Sequence, residues 1–253
     1  MSKINVDLNY IKEGLTNIGY VISDFDEKEN NGKYWQIKFS NSGAIVTIYD
    51  TNKLRNSVVN GRPDPGEKEM LKTIVDGLKC KELTVEPLNK KIVDLINSHK
   101  EDFYYDFKVI PHKDKGSLLH DILCLSNNTE NKEAYLIFGV EDSTYEVVGI
   151  APDEIKSNDI YDFLKAQEFA GTHMPEIEIK KMYYKYRDIG VIICKSSKDV
   201  PFYLTKATKE CKEKVSEYQI YTRVGDTNTA KNKHASYTDV EKLWRIHFER
   251  ENE

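Results

Sequence analysis

Three carboxylates in the middle of the chain are spaced so that they could hold a divalent cation. Glu101 and Asp106 lie in the stretch EDFYYDFK, Glu101–Lys108, and Asp142 follows the apolar run Ala134–Val140 after Glu141. Oxygen ligands of this kind suit hard cations such as Mg2+ or Mn2+. A bound cation could polarise a phosphoryl oxygen and generate hydroxide near neutral pH. Glu101 and Asp106 are five residues apart, an odd separation that sends them to opposite faces of a regular strand. They converge only if Glu101 sits before the strand, in the turn at His99–Asp102. Glu141 adjoins Asp142 and could take its place. The competing reading is a set of solvated acids at strand ends, with Lys108 paired to one of them.

Cations that could meet a phosphate lie on both sides of this stretch. Lys108 alternates with Asp106 and would share its face of the strand. Arg223 precedes Gly225 in the run RVGDT, where turn amides and a guanidinium could cradle a phosphate; a plain hairpin turn with an exposed arginine fits equally well. Residues 180–214 carry ten Lys and Arg against four Asp and Glu. That stretch is therefore +6 in a chain of net charge −5, so the rest sums to about −11. Lys206 and Lys209 lie in it. A local basic field on an acidic protein fits phosphate binding on one face, and also fits a solvated lysine-rich loop. Tyr183, Tyr184, Tyr186, Tyr203 and Tyr218 are interleaved with these lysines and could stack on unpaired bases if exposed.

These residues need elements to hold them. Leu118, Leu119, Ile122 and Leu125 recur at helical spacing, between the strand that would carry Asp106 and the apolar run 134–140. Val147–Ile150 reads as a further strand. Upstream, Ile4, Leu8, Ile11, Leu15 and Ile18 predict a helix over residues 3–18. Three strand-like runs follow, Tyr20–Phe25, Tyr34–Ser40 and Ala44–Asp50, punctuated by turn residues, with Leu54–Asn60 as a fourth. Glu67–Leu78 is a second helix, Lys79–Pro87 a charged connection, and Leu88–Lys100 a short helix. Downstream, a helix over Ser157–Ala170 precedes a hairpin of Ile177–Tyr186 and Ile189–Cys194. Tyr218–Val224 reads as a strand. A last helix, Thr238–Arg250, is capped by Thr238 with Glu241 and turns Val240, Leu243, Trp244 and Phe248 inward. The fold class is α+β, with domains expected at 1–80 and 88–253.

At 253 residues with 39% hydrophobic and 31% charged side chains, the composition suits globular domains. No apolar run approaches the length of a membrane span, and the first residues have no signal-peptide pattern. The four cysteines are far apart and form no C-x2-C pair, which argues against structural zinc and fits a reduced, cytoplasmic setting. There is no P-loop, no nucleophile elbow and no dinucleotide fingerprint.

Several pieces in order resemble the Schlafen-like AlbA_2 (Schlafen AAA_4) family. They are the E-x4-D-F-K frame at Glu101–Lys108, LLHDILCLSNN at Leu118–Asn128, YLIFGVEDSTYEVVGI at Tyr135–Ile150, PFYL at Pro201–Leu204 and YTRVGDTNTA at Tyr221–Ala230. Two departures stand out: Asn131-Lys132-Glu133 replaces a common glycine pair, and Asp106 stands where Glu is usual. The resemblance implies a mixed α/β nucleic-acid-binding or nuclease domain in which Glu101, Asp106 and Asp142 are the catalytic metal ligands. Trp35–Gly61 resembles TATA-binding-protein-like accessory modules. The implied activity is a divalent-metal-dependent endoribonuclease acting on structured RNA such as tRNA. A non-catalytic DNA- or RNA-binding regulator and a protein-interaction adaptor with vestigial acids are the alternatives. The implied partner is nucleic acid, RNA favoured over DNA, with a homodimer as a possible assembly and no membrane. Replacing Lys206, Lys209 and Arg223 together by Ala is expected to weaken binding across sequences. The slope of log K against log salt should flatten by up to about 2–3 units. An unchanged slope would mean that the basic stretch is a solvated loop.

Overall fold

A computed structural model describes residues 6–30, 32–51, 56–81, 83, 85–151, 153–185 and 187–249. The chain divides into two compact units, residues 1–98 with 183–186, and residues 99–182 with 187–253. The class is α+β, as expected.

In the first unit, α1 (Leu8–Asn17) is capped by Asp7, whose carboxylate accepts from the Tyr10 amide. The strands β1 (Ile22–Glu29), β2 (Lys33–Phe39), β3 (Ala44–Tyr49) and β4 (Val58–Gly61) form an antiparallel meander in that order. Residues 54 and 55 of the expected fourth strand lie outside the described residues, as do residues 3–5 of the expected first helix. Alternation along β2 buries Trp35, Ile37 and Phe39 on one face. Ile11, Leu15, Leu71, Val75 and Leu78 cover that face from α1 and α2 (Pro65–Lys79). The helix α3 (Pro87–Asn97) buries Ile92, Val93, Leu95 and Ile96 and packs against α1. The compact division thus falls after α3, whereas the expected domain boundary precedes it.

The second unit is built on a four-stranded sheet of order β5-β6-β8-β7. Its strands are β5 (Tyr105–Lys108), β6 (Ala134–Phe138), β7 (Ile177–Tyr184) and β8 (Arg187–Cys194). β5 and β6 are parallel, with Asp106 opposite Leu136, and β8 is antiparallel to β6. The crossover between β5 and β6 is α4 (Lys115–Ser126), capped by Asp114 and packed on β6 and β8. Every residue of α4 from Leu118 to Ser126 is buried, so this helix is the centre of the unit's core rather than a surface helix with one apolar stripe. α5 (Ser157–Lys165) ends short of the expected Ala170, and a separate turn follows at Ala170–Thr172.

Beyond the sheet, much of the chain is irregular but anchored. Val147–Ile150 is not a strand: a single bridge joins Val140 to Val147, and the Val148 and Gly149 amides both reach the Gly139 carbonyl. Of the expected strand 218–224, only Arg223–Val224 pairs, as β9, with β10 (Thr227–Asn228). Asn127, fully buried just after α4, holds these segments in place. Its amide donates to the Phe202 and Tyr221 carbonyls, and its oxygen accepts from the Phe202 amide. α6 (Tyr237–Glu249) begins earlier than expected. Ser236, rather than Thr238, caps it by accepting from the Asp239 amide and pairing with the Asp239 carboxylate. Phe248, expected to face inward, is 56% exposed.

Gly116, in the first turn of α4, lies against the 211–213 segment. A Cβ there would stand 1.8 Å from the Glu213 carbonyl oxygen. Gly116→Ala is therefore expected to cost about 1–3 kcal/mol by overpacking, measured by chemical denaturation. A variant as stable as the parent would show that the 211–213 segment yields freely.

Candidate functional site

The site is a buried polar network in the second unit, built where β5, α4 and the β9–β10 hairpin meet. Glu101 precedes β5, as convergence with Asp106 requires. One of its oxygens caps the strand by accepting from the Phe107 amide at 2.9 Å. The other accepts from Arg223 Nη2 at 2.6 Å. Asp106, in β5, accepts from the same Nη2 at 3.3 Å through Oδ1 and from Lys108 Nζ at 2.6 Å through Oδ2. All four oxygens of the two acids are therefore engaged. Arg223 is only 2% exposed at its side chain. Its Nε donates to the Asp102 carbonyl at 3.0 Å and Nη1 to Asn228 Oδ1 at 2.9 Å. The hairpin expected around Gly225 forms, but the arginine points into the protein, not toward solvent.

Asn228 carries the network onward. Its amide donates to Asp121 Oδ1 at 2.9 Å, and Asp121 Oδ2 accepts from His112 Nε2 at 2.6 Å. An ionised carboxylate only accepts, so Nε2 carries the proton and Nδ1 is the ring's open nitrogen. His112 comes from the loop between β5 and α4 and is 25% exposed at its side chain. His120, on α4 beside Asp121, donates through Nε2 to the Thr229 carbonyl at 2.8 Å.

Burial, then the neighbouring Asp106 charge, pushes the Glu101 carboxyl above its usual range; the Phe107 amide and Arg223 oppose this without cancelling it. Burial also raises Asp121, but the hydrogen bond from His112, the neighbouring His120 ring and the Lys108 charge outweigh it. They hold Asp121 well below the usual carboxylate range. Two acids of one network are thus driven in opposite directions, Glu101 chiefly by burial and Asp121 by its hydrogen-bonding and charged neighbours.

The expected site residues are split. Glu101, Asp106, Lys108 and Arg223 meet in one cluster. Asp142 is exposed in the turn after β6, and the neighbouring Glu141 accepts from Thr144. Among the described residues, no group of three or more His, Cys, Asp or Glu side chains is arranged to hold a metal ion. The residues therefore do not fit a three-carboxylate Mg2+ or Mn2+ centre: a guanidinium lies between two of the acids and the third is apart. Lys206 and Lys209 stand in a separate groove of about 580 Å3 with Lys113, Lys115, Phe163 and Glu168 among its lining residues. Lys206 is paired with Glu168 at 2.7 Å. The phosphate-cradle role expected of Arg223 does not survive its burial, since every nitrogen of its guanidinium is committed to protein.

Sequence reasoning missed His112, Asp121 and Asn228. Asp121 carried a signal: with His120 it interrupts the apolar run Leu118–Leu125, and a buried carboxylate must find partners. His112 and Asn228 carried none, because their partners are distant in sequence.

Residues 101–232, just over half of the chain, match the profile of the family described as Schlafen, AlbA_2. No curated protein matches. Among solved structures, the DIP2311 protein from Corynebacterium diphtheriae is similar at 16% identity, with a TM-score of 0.34. That similarity covers 55% of this chain and 28% of that protein.

Removing Arg223 would leave two carboxylates side by side with their shared cation gone. Arg223→Met is expected to destabilise the protein by about 3–5 kcal/mol, read by denaturant unfolding. Adding Glu101→Gln and Asp106→Asn to the same chain should restore part of the loss. A loss below about 1 kcal/mol for the single variant would show that the acids are relieved by solvent instead.

Proposed function

Because the chain belongs to the Schlafen AlbA_2 family, we propose that it binds nucleic acid, RNA in preference to DNA, without divalent-metal nuclease chemistry at Glu101 and Asp106. The observation that carries this reading is the buried guanidinium that those two carboxylates share: Arg223 Nη2 reaches both, and each of their four oxygens accepts from an N–H of the protein. A hard cation draws on the same oxygens, and here it would have to compete with a buried arginine that also holds the Asp102 carbonyl and Asn228. The family supports a nucleic-acid role. The exposed side chains of Lys113, Lys115, Lys206 and Lys209 in one groove of the same unit support contact with a phosphate backbone. Electrostatic contact of that kind is sequence-independent and salt-sensitive. The +6 stretch contributes less than its count, because Lys180, Lys195 and Lys206 are each paired with a carboxylate outside it. The accessory role of the first unit, a homodimeric assembly and a cytoplasmic setting belong to the same proposal.

The test measures fluorescence anisotropy of labelled single- and double-stranded RNA and of DNA of the same sequence. Each is run with Mg2+ or Mn2+ and with chelator, beside calorimetric titration of Mn2+ into the protein alone. RNA should bind more tightly than DNA, equally with metal and with chelator, and the Mn2+ titration should show no saturable heat. Stoichiometric Mn2+ binding that Glu101→Gln abolishes, or RNA cleavage that chelator stops, would overturn the metal-free reading.

A further inference from the structure

The network that engages the acid pair leaves another group open. His112 is held at one nitrogen and open at the other. Its Nε2 donates to Asp121 at 2.6 Å, Asp121 is itself fixed by the Asn228 amide at 2.9 Å, and Asn228 is fixed by Arg223. No partner of Nδ1 is present among the described residues, and the ring reaches the surface. An imidazole oriented by a buried carboxylate, with its second nitrogen free to take a proton, is the arrangement of a general base. Asp121 stays ionised because its two histidine neighbours and Lys108 outweigh its burial, so it can stabilise the imidazolium that proton transfer creates. Lys108 acts on the same carboxylate, and Lys113, next to His112 in the chain, is exposed. Positive charge for a phosphodiester is therefore at hand.

We propose that His112 is the base of a metal-independent RNA-cleaving site, with Asp121 and Asn228 as its positioning residues. The inference rests on the RNA-binding reading above. RNA carries its own nucleophile, the ribose 2′-hydroxyl, which DNA lacks. His112 Nδ1 takes the 2′-hydroxyl proton, and the 2′-oxygen forms a bond to the adjacent phosphorus. The bond from phosphorus to the 5′-oxygen of the next nucleotide breaks. That oxygen takes a proton from water, and the imidazolium returns its proton to solvent as the hydroxide so formed is neutralised. The products are one fragment ending in a 2′,3′-cyclic phosphate and one beginning with a 5′-hydroxyl. No oxidant, metal or other co-reactant is required.

The experiment incubates the full chain with end-labelled single-stranded RNA in chelator, beside the same RNA fully 2′-O-methylated, and measures binding and product ends together. Wild type should bind both RNAs and cut only the unmodified one, leaving cyclic phosphate ends. His112→Gln should cut at least about 100-fold more slowly while binding RNA within about 2-fold of wild type. Asp121→Asn should lower kcat with little change in KM, which mere loosening of the fold would not do. RNA bound by wild type but left intact in chelator overturns the proposal and leaves the binding reading standing. Cutting of the methylated RNA, or equal cutting by folded His112→Gln, also overturns it. Failure to bind RNA overturns the binding reading and this proposal with it.

Discussion

The guanidinium of Arg223 is the constraint on which the second unit's polar interior depends. Two carboxylates in contact inside a protein repel each other and lose their hydration, a cost that neither bears alone. A guanidinium offers five donors in a fixed plane, and here they are shared among Glu101, Asp106, Asn228 and a backbone carbonyl. The arginine therefore does three things at once. It neutralises the acids, it ties the two-residue strands β9 and β10 to β5, and through Asn228 it fixes the carboxylate that orients His112. A hairpin of only two residues per strand has little stability of its own, so its place is set by these polar contacts and by Asn127.

The same interaction bears on the chemistry proposed for the site. A cation at Glu101 and Asp106 would compete with the guanidinium that the two acids share. An imidazole with one committed and one open nitrogen does offer a path for a proton. The burial of Asp121 matters here: in a region of low dielectric its hydrogen bonds are stronger and its partners more tightly held than they would be at a surface. Surface charge plays a different part. The lysines of the groove are exposed and partly paired, so they suit long-range attraction of a polyanion rather than fixed geometry.

The match to the Schlafen AlbA_2 family over residues 101–232 has a physical counterpart in the packing. The sequence pieces LSNN, PFYL and YTRVGDTNTA are far apart along the chain, yet Asn127 binds Phe202 and Tyr221 directly. Arg223 and Asn228 lie just beyond that junction. The motifs thus surround a single knot of buried hydrogen bonds, and the knot requires all of them together.

Much of the architecture was written locally. Periodicity placed α1, the meander and α2, and marked α4 and β6, because burying one face of an element imposes its repeat on the residues themselves. Separation in sequence also told correctly that Glu101 must precede the strand to meet Asp106. Where the periodic signal is weak, the reading failed: Val147–Ile150 has strand composition but only one bridge, since turn hydrogen bonds to Gly139 take its amides. Ser236 stands in place of Thr238 as the cap of α6: both hydroxyls have an acid three residues on, and the helix starts at Tyr237 with Ser236 bonded to Asp239. The sequence by itself determined most of the elements, the family and the acids of the E-x4-D frame. Only the tertiary structure decided what those acids do. The partner that claims them, Arg223, stands 122 positions from Glu101 in the chain, and charge pairing across that distance leaves no periodic trace.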